Sequence, residues 1–409
     1  MKQIGILGGG AAGYFGAIQI AKQMKGKANI VLLEKGNEPL AKVKISGGGR
    51  CNVTHNLYDP VALSEKYPRG SKELRAAFER FQPKDTVRWF ETHGVKLKAE
   101  ADGRMFPVTN TSSTIIDCLT REAIEAGVEI RLENPITAIY VDNTKKENKF
   151  CLVDSLEQKQ NFDKLLVATG SNRKVWGWLD SLGHTIEKPV PSLFTLHIPD
   201  SRIKDLPGLS VPNGEIRLLP KGKPQQGPIL ITHWGLSGPA VLRLSAWEAK
   251  SFADCEYKAK VKVNWLGQVT GEEFLSQITA IKQESPAKKI SANSQFGLAS
   301  RLWESFLRNA NISLEKRWSE ISNAELNRLR EEICSSIYEV DGKSIFKEEF
   351  VTCGGVNRKE IDFRTMESRI ISGMYFAGEV IDIDGITGGF NFQNAWTTSW
   401  IAAEAIAID

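Results

Sequence analysis

The stretch Lys2-Gln3-Ile4-Gly5-Ile6-Leu7-Gly8-Gly9-Gly10-Ala11-Ala12-Gly13 decides the architecture of this chain. Its first six residues carry β-branched and aliphatic side chains and read as a strand, the glycines as a turn, and the Ala-, Ile- and Gln-rich stretch to about Gln23 as a helix. A second apolar run, Asn29 to Leu33, ends in Glu34, 21 positions after Gly13. Strand, glycine turn, helix, strand and acid together form a βαβ unit that binds a dinucleotide. Gly8 permits the tight turn, Gly10 lets backbone N–H groups approach a pyrophosphate, and Gly13 lets the helix pack closely on the strand. With Ala11 and Ala12, these residues place the helix N-terminus against the anion. Glu34 accepts hydrogen bonds from a ribose and repels a 2′-phosphate, which favours FAD or NAD over NADP. Lys35 and Lys44 are counted among the cofactor contacts.

The rest of the chain bounds the class. Its 409 residues are 41% hydrophobic and 25% charged, too long for one compact core, which stops growing near ~250–300 residues. Two or three domains are expected. The net charge of +4 is no concentrated basic field of the kind that nucleic-acid binding requires. There is no apolar run long enough to span a bilayer and no leader pattern, so no membrane partner is expected and the expected compartment is the cytoplasm. The six cysteines (51, 118, 151, 255, 334 and 353) include no C-x-x-C pair, and histidines do not cluster. Neither a disulfide framework nor a metal site is indicated.

After Glu34, Lys42-Val43-Lys44-Ile45-Ser46-Gly47-Gly48-Gly49-Arg50-Cys51-Asn52-Val53-Thr54 brings backbone close to something flat or anionic, with Gly48, Gly49, Arg50 and Asn52 as candidate contacts. Helices are read over residues 72–92, broken at Pro83, and over 111–126. Short strands then lead to Ala168-Thr169-Gly170, a small-residue turn at the end of a buried strand that returns to the nucleotide sheet. From Pro191 strand patterns dominate, including Leu193 to Ile198 and Tyr257 to Asn264. Capping boxes at Thr270-x-x-Glu273 and Ser322-x-x-Glu325 then announce helices. The expected division is a cofactor domain from residues 1–190 and 346–409, a β-barrel-like insertion over 191–269 and a helical insertion over 270–345.

Near the C-terminus an apolar strand delivers Gly378-Glu379 at its tip, followed by Gly388-Gly389-Phe390-Asn391 at the start of an Ala- and Trp-rich helix. In an FAD-binding domain the acid takes the ribityl hydroxyls, and the helix start aims N–H groups at the flavin pyrimidine. A nicotinamide-only dehydrogenase needs no such element. The expected cofactor is therefore noncovalent FAD, since no flavin-linking motif is evident.

The pattern resembles the BaiN-like, or aminoacetone-oxidase-like, family of NAD(P)/FAD-dependent oxidoreductases. The matching stretches are Gly8 to Gly13, Ile45 to Asn52, Thr232-His233-Trp234-Gly235-Leu236-Ser237-Gly238-Pro239, and Tyr375 through Trp396. The resemblance implies an α/β fold: a Rossmann-type, glutathione-reductase-like FAD domain interrupted by a β-barrel-like and helical insertion. Cys353 stands where alanine is expected, and Trp234 where a smaller aromatic is usual.

Flavin carries the redox chemistry, so catalytic side chains are few. His233 is the candidate for a substrate contact or acid in the active-site gap. Cys51 beside Arg50 is weighed as a thiolate against a packing role, and Asp382 and Asp384 are read as loop-ordering acids. No second G-x-G-x-x-G follows a strand, so NAD(P)H as electron donor would dock without its own nucleotide domain, at the cleft between barrel and flavin. The insertion is expected to cover the flavin and choose the substrate. The leading expectation is an FAD-dependent oxidoreductase acting on a small organic molecule. The alternative is a flavin-containing RNA-modifying protein, motivated by a pI of about 8.6 and a lysine-bearing insertion, although no interleaving of aromatic and basic residues is visible. A flavin-stabilised binding module without turnover is the third reading.

Overall fold

The computed structural model describes residues 1–145, 147–343 and 351–408. It divides into two compact units, one of residues 1–189 with 351–409, the other of residues 190–350. The expected junction at 345/346 lies outside the described residues.

The first unit is built on a seven-stranded sheet with β1 (Lys2–Leu7) near its middle. On one side follow β2 (Ala28–Leu33) and the strand Glu129–Arg131; on the other, Lys164–Val167 and Met374–Phe376, all parallel. Two short antiparallel strands, Ile361–Asp362 and Glu367–Ser368, finish that edge. Parallel strands are covered on both faces, which is why β1 and β2 bury four consecutive residues each instead of alternating. Between them runs α1 (Ala11–Gln23), buried over ten residues from Ala12 to Ala21. It packs on the C-terminal helix Phe390–Ile408, where Ser399 Oγ donates to the carbonyl of Ala12 at 2.8 Å. Both helices are apolar on nearly all sides, as helices inside a domain must be. The helices Ser71–Arg80 and Pro83–Thr92 meet at Pro83, which occupies the first turn of the second, where its missing N–H costs nothing.

The second unit contains an antiparallel six-stranded sheet ordered Leu196–His197, Gly235–Ser237, Gln225–Thr232, Ser210–Leu218, Lys258–Asn264, Ser336–Asp341. Its outer strands meet through a bridge between Leu196 and Lys343 and a bond from the His197 N–H to the Gly342 carbonyl at 3.0 Å, so the sheet closes into a small barrel. Ser336–Asp341 alternates buried and exposed residues, the signature of a sheet with one wet face. The strand expected over Leu193 to Ile198 is shorter than the apolar run, because Leu193 takes φ +59°, which no extended strand accommodates. Helices Gly271–Glu284 and Asn323–Cys334 begin at Thr270 and Ser322, each closing the reciprocal capping box. With Ser300–Asn309 they bury Phe274, Ile278, Trp303, Phe306, Leu329 and Ile333 in the core that holds Val261, Val263 and Trp265 of the barrel. The strands of 191–269 and the helices of 270–345 thus share one core. Among the described residues, no helix is long and apolar enough to cross a membrane.

Candidate functional site

The glycine turn of the first unit is determined by close approach. A Cβ on Gly8, at φ +111°, would lie 2.6 Å from the carbonyl oxygen of Ala168, so the strand Lys164–Val167 ends directly against the turn. A Cβ on Gly13 would fall 1.8 Å from the Gly8 carbonyl oxygen, which locks α1 onto the loop that precedes it. Gly10 differs, because a Cβ there meets no protein atom within 4 Å. Gly10 caps α1 in an extended conformation without a side-chain bond, which leaves the first N–H groups of the helix without intrahelical acceptors. The result is an open cradle of N–H donors carrying the positive end of a helix dipole, the shape and charge a pyrophosphate requires.

Glu34 closes one side of this cradle. Its two carboxylate oxygens accept from the N–H groups of Gly9 at 2.7 Å and Gly36 at 2.8 Å. A carboxylate has about four lone-pair positions, so Glu34 orders both loops and keeps acceptor capacity for a hydroxyl. Gly9, the unspecified position of the motif, proves as constrained as its neighbours: a Cβ there would be 2.8 Å from that of Glu34.

The second cradle is the loop Gly47-Gly48-Gly49, whose φ angles of +59°, +69° and +81° interrupt the helix Ala41–Gly49. Gly48 and Gly49 again face open space, whereas a Cβ on Gly47 would press on the ring of Phe106 at 2.9 Å. Arg50 anchors this loop. Its guanidinium stacks 4.0 Å from the centre of the Phe106 ring and pairs with Glu100 at 2.6 Å. The Asn52 amide, in the orientation that satisfies both ends, accepts from the Gly389 N–H at 2.9 Å and donates to the Thr54 carbonyl at 3.0 Å. It ties the loop to the start of the C-terminal helix.

Cys51 is buried, and burial pushes its thiol up to about 12, against the smaller opposing effect of a bond with Ser46. Arg50 is engaged with Phe106 and Glu100, and Cys51 stays a thiol. Iodoacetamide at neutral pH is therefore expected to alkylate exposed Cys255 and leave Cys51 unmodified until denaturant is added; rapid native-state labelling of Cys51, read by peptide mass spectrometry, would contradict its packing role. Cys353 is likewise buried, within Val351–Val356.

Glu379 forms the opposite wall. One carboxylate oxygen accepts from the Thr352 N–H at 2.9 Å, and the other pairs with Lys42, which also donates to Ser171 Oγ at 3.3 Å. Gly170 adjoins this acid, and Thr169 next to it keeps a buried hydroxyl with no hydrogen bond among the described residues. The cation on Glu379 is Lys42; Lys44 pairs with Glu38 at 2.9 Å on the exposed surface, and Lys35 is exposed. Two residues apart on a helix lie on different faces, so position within the run could not separate them.

Gly378 donates its N–H to Thr398 Oγ1 at 2.9 Å. A Cβ on Gly389 would reach 2.5 Å from the Thr54 carbonyl oxygen, which holds the N-terminus of Phe390–Ile408 beside the second cradle. Phe390 stacks on His55 with ring centres 4.7 Å apart, and its carbonyl accepts from Tyr67 Oη at 2.7 Å. Asn391 spends both ends of its amide on Gly385, each at 2.9 Å, and so orders its own loop. Three features here were invisible in the sequence. Buried Gln393 accepts from Thr54 at 2.6 Å and Thr86 at 2.9 Å and donates to Thr397 at 3.0 Å, locking the helix start to the loop. Asp384 pairs with Arg69, and Asp382 with Arg358 at 2.6 Å. Both acids are buried and hold the loop between Glu379 and Gly388, as loop-ordering acids do.

His233 belongs to the second unit, on the turn between Gln225–Thr232 and Gly235–Ser237, where it is exposed. Among the described residues there is no cluster of three or more metal-ligating side chains.

Two open glycine cradles, two acids at opposite ends and a helix start between them suit an elongated dinucleotide carrying a flat ring, which is FAD. The family model described as "HI0933-like protein Rossmann domain" matches residues 2–405. The ribosomal RNA dihydrouridine synthase of Escherichia coli (strain K12) is 30% identical over 420 residues, covering 98% of this chain and 96% of that protein. The 3-dehydro-bile acid delta(4,6)-reductase of Clostridium scindens (strain ATCC 35704 / DSM 5676 / VPI 13733 / 19) is 25% identical, covering 100% and 99%. Among solved structures, the open conformation of a flavocytochrome c3 fumarate reductase shares the fold with a TM-score of 0.51 at 16% identity, over 100% of this chain and 78% of that one.

Proposed function

The chain belongs to the HI0933-like Rossmann family and is a flavin-dependent oxidoreductase, and from that premise we propose that it saturates a carbon–carbon double bond conjugated to a carbonyl, with uridine of ribosomal RNA as the substrate and NAD(P)H as the electron donor. The observation that carries this reading is the end-to-end similarity to a relative named for making dihydrouridine in ribosomal RNA. The bile-acid reductase relative supports the same reaction class on a small organic substrate, since its name also denotes reduction of a double bond. In both cases a hydride adds to one carbon and a proton to the other, while the nicotinamide is oxidised.

FAD, when bound, supplies the two-electron transfer between donor and substrate. The chain's own work is to hold it. N–H groups at the start of α1 and in the Gly48-Gly49 loop take the pyrophosphate, Glu34 takes the adenosine ribose, and Glu379, oriented by Lys42 and the Thr352 N–H, takes the ribityl chain. The N-terminus of Phe390–Ile408 directs its dipole at the flavin pyrimidine, where negative charge grows on reduction. His233 is assigned as the substrate contact.

Unmodified ribosomal RNA transcribed in vitro is incubated anaerobically with the holoprotein and NADH or NADPH, and nucleoside digests are analysed for uridine carrying two extra hydrogens. Its formation is the expected result. Reduction of a conjugated steroid ketone but not of RNA would shift the substrate to the small-molecule class, and absence of flavin bleaching by either nicotinamide would exclude NAD(P)H as donor. His233→Ala is expected to retain FAD content and lower kcat/KM by about 10²-fold; an unchanged kcat/KM would remove His233 from the site.

A further inference from the structure

One exposed aromatic residue of the second unit has an unusually rigid mount. Trp234 lies in the turn between Gln225–Thr232 and Gly235–Ser237, and 43% of its surface is exposed. Its N–H donates to Thr232 Oγ1 at 3.3 Å, and its carbonyl accepts from the Ile198 N–H at 2.8 Å. The next residue, Gly235, sits so close to the strand Leu196–His197 that a Cβ would lie 2.4 Å from the Leu196 carbonyl oxygen. The backbone beneath the indole is thus tied to the barrel on both sides, and the turn cannot fold back to bury the ring.

The neighbours of this ring come from three separate segments. His233 precedes it and is exposed. The His197 ring is 6.4 Å away, tilted by 52°, and is itself held by a bond between Nδ1 and the Asp341 carbonyl at 2.8 Å. Lys343 bridges to Leu196, the residue before His197, and its ammonium lies 5.6 Å from the centre of the Tyr257 ring. Barrel closure therefore gathers an indole, two imidazoles and an ammonium at one end of the sheet. Such a grouping suits an unpaired nucleobase: the indole offers a face for stacking, the imidazoles offer hydrogen bonds to base edges, and the cation meets the backbone charge.

Resting on the reading of ribosomal RNA as substrate, we propose that Trp234 is a stacking platform for an unpaired base of that RNA, with His197 and His233 at its edge. A residue in this role sets affinity for single-stranded RNA while leaving FAD binding and flavin reduction by nicotinamide untouched.

The test measures binding of a fluorescein-labelled twelve-nucleotide oligouridylate to the oxidised holoprotein by fluorescence anisotropy at fixed salt. Trp234→Ala is expected to weaken binding about tenfold or more, the loss of one base stack, while Trp234→Phe, which keeps a ring, stays within about threefold. Tyr140→Ala, which removes another exposed ring from the strand Ile136–Val141 of the first unit, should bind as wild type. Wild-type affinity in Trp234→Ala, or equal weakening in Trp234→Ala and Tyr140→Ala, would overturn the proposal while leaving the RNA reading intact. Absence of RNA binding and of RNA reduction by the wild-type protein would overturn both. Should Trp234→Ala fail to fold, Trp234→Leu, which keeps apolar bulk without a π-face, carries the same comparison.

Discussion

Gly13→Val is expected to yield no folded protein, whereas Gly10→Val is expected to fold and purify colourless. The two positions belong to one motif but differ in what surrounds them. At Gly13 a single added carbon would sit 1.8 Å from the Gly8 carbonyl oxygen, and relief would require α1 to lift off β1. α1 carries ten buried residues and the packing with Phe390–Ile408, so displacing it sacrifices much of the core; the loss exceeds the roughly 5–15 kcal/mol that holds a protein folded. At Gly10 the added side chain meets no protein atom within 4 Å, and valine there enters only the pyrophosphate cradle. Soluble yield and circular dichroism report the first outcome, and flavin absorbance per mole of protein the second. Full FAD content in Gly10→Val would refute the assignment of this loop to the pyrophosphate, and a stable, yellow Gly13→Val would refute the packing argument.

Arg69→Met is expected to destabilise the first unit by about 3–5 kcal/mol, the cost of leaving one charge of a buried ion pair uncompensated. The Arg69 side chain is 10% exposed and its partner Asp384 is fully buried. Burial works against the guanidinium charge, but Asp384 more than offsets it and holds the group above its usual range. Without Arg69, the Asp384 carboxylate would be stranded in low dielectric, and its pKa in the folded variant would rise above the unfolded value. A raised folded pKa means the penalty is absent at low pH and grows as pH rises above about 4. Urea midpoints of wild type and variant should therefore diverge with rising pH. Arg69→Met/Asp384→Leu should recover much of the loss, because an apolar pair needs no compensation. A pH-independent difference, or no recovery in the double variant, would show that Arg69 acts through packing alone. Because Asp384 adjoins Gly385, which Asn391 clamps, the single variant should also weaken FAD retention.

The readable part of the site is the part built from neighbours in the chain. β1, its glycine turn, α1 and β2 with Glu34 follow from local spacing, and the small-residue turn at Ala168 to Gly170 and the acid at Glu379 follow from apolar runs that end in loops. Their partners were not readable. Lys42 and Lys44 are indistinguishable by type and position, yet only Lys42 reaches Glu379. Arg50 carries a charge suited to an anion or a thiolate, but Phe106 and Glu100, more than forty residues away, engage it. Gln393 reads as one polar residue on an apolar helix until Thr54 and Thr86 are brought against it.

In the second unit the alternation of buried and exposed residues identified strands, and the capping boxes placed helix starts. What joined them in one core, and what set Trp234, His197 and Lys343 at one end of a barrel, was pairing between segments up to about 150 residues apart. The sequence by itself determined a dinucleotide-binding Rossmann unit, its flavin-type C-terminal element and the presence of an insertion, because backbone geometry and hydrophobic period act over a few residues. Only the tertiary structure decided which charges are paired, which thiols are silenced and which aromatics face water, because those depend on desolvation and close approach that arise once distant segments exclude solvent together.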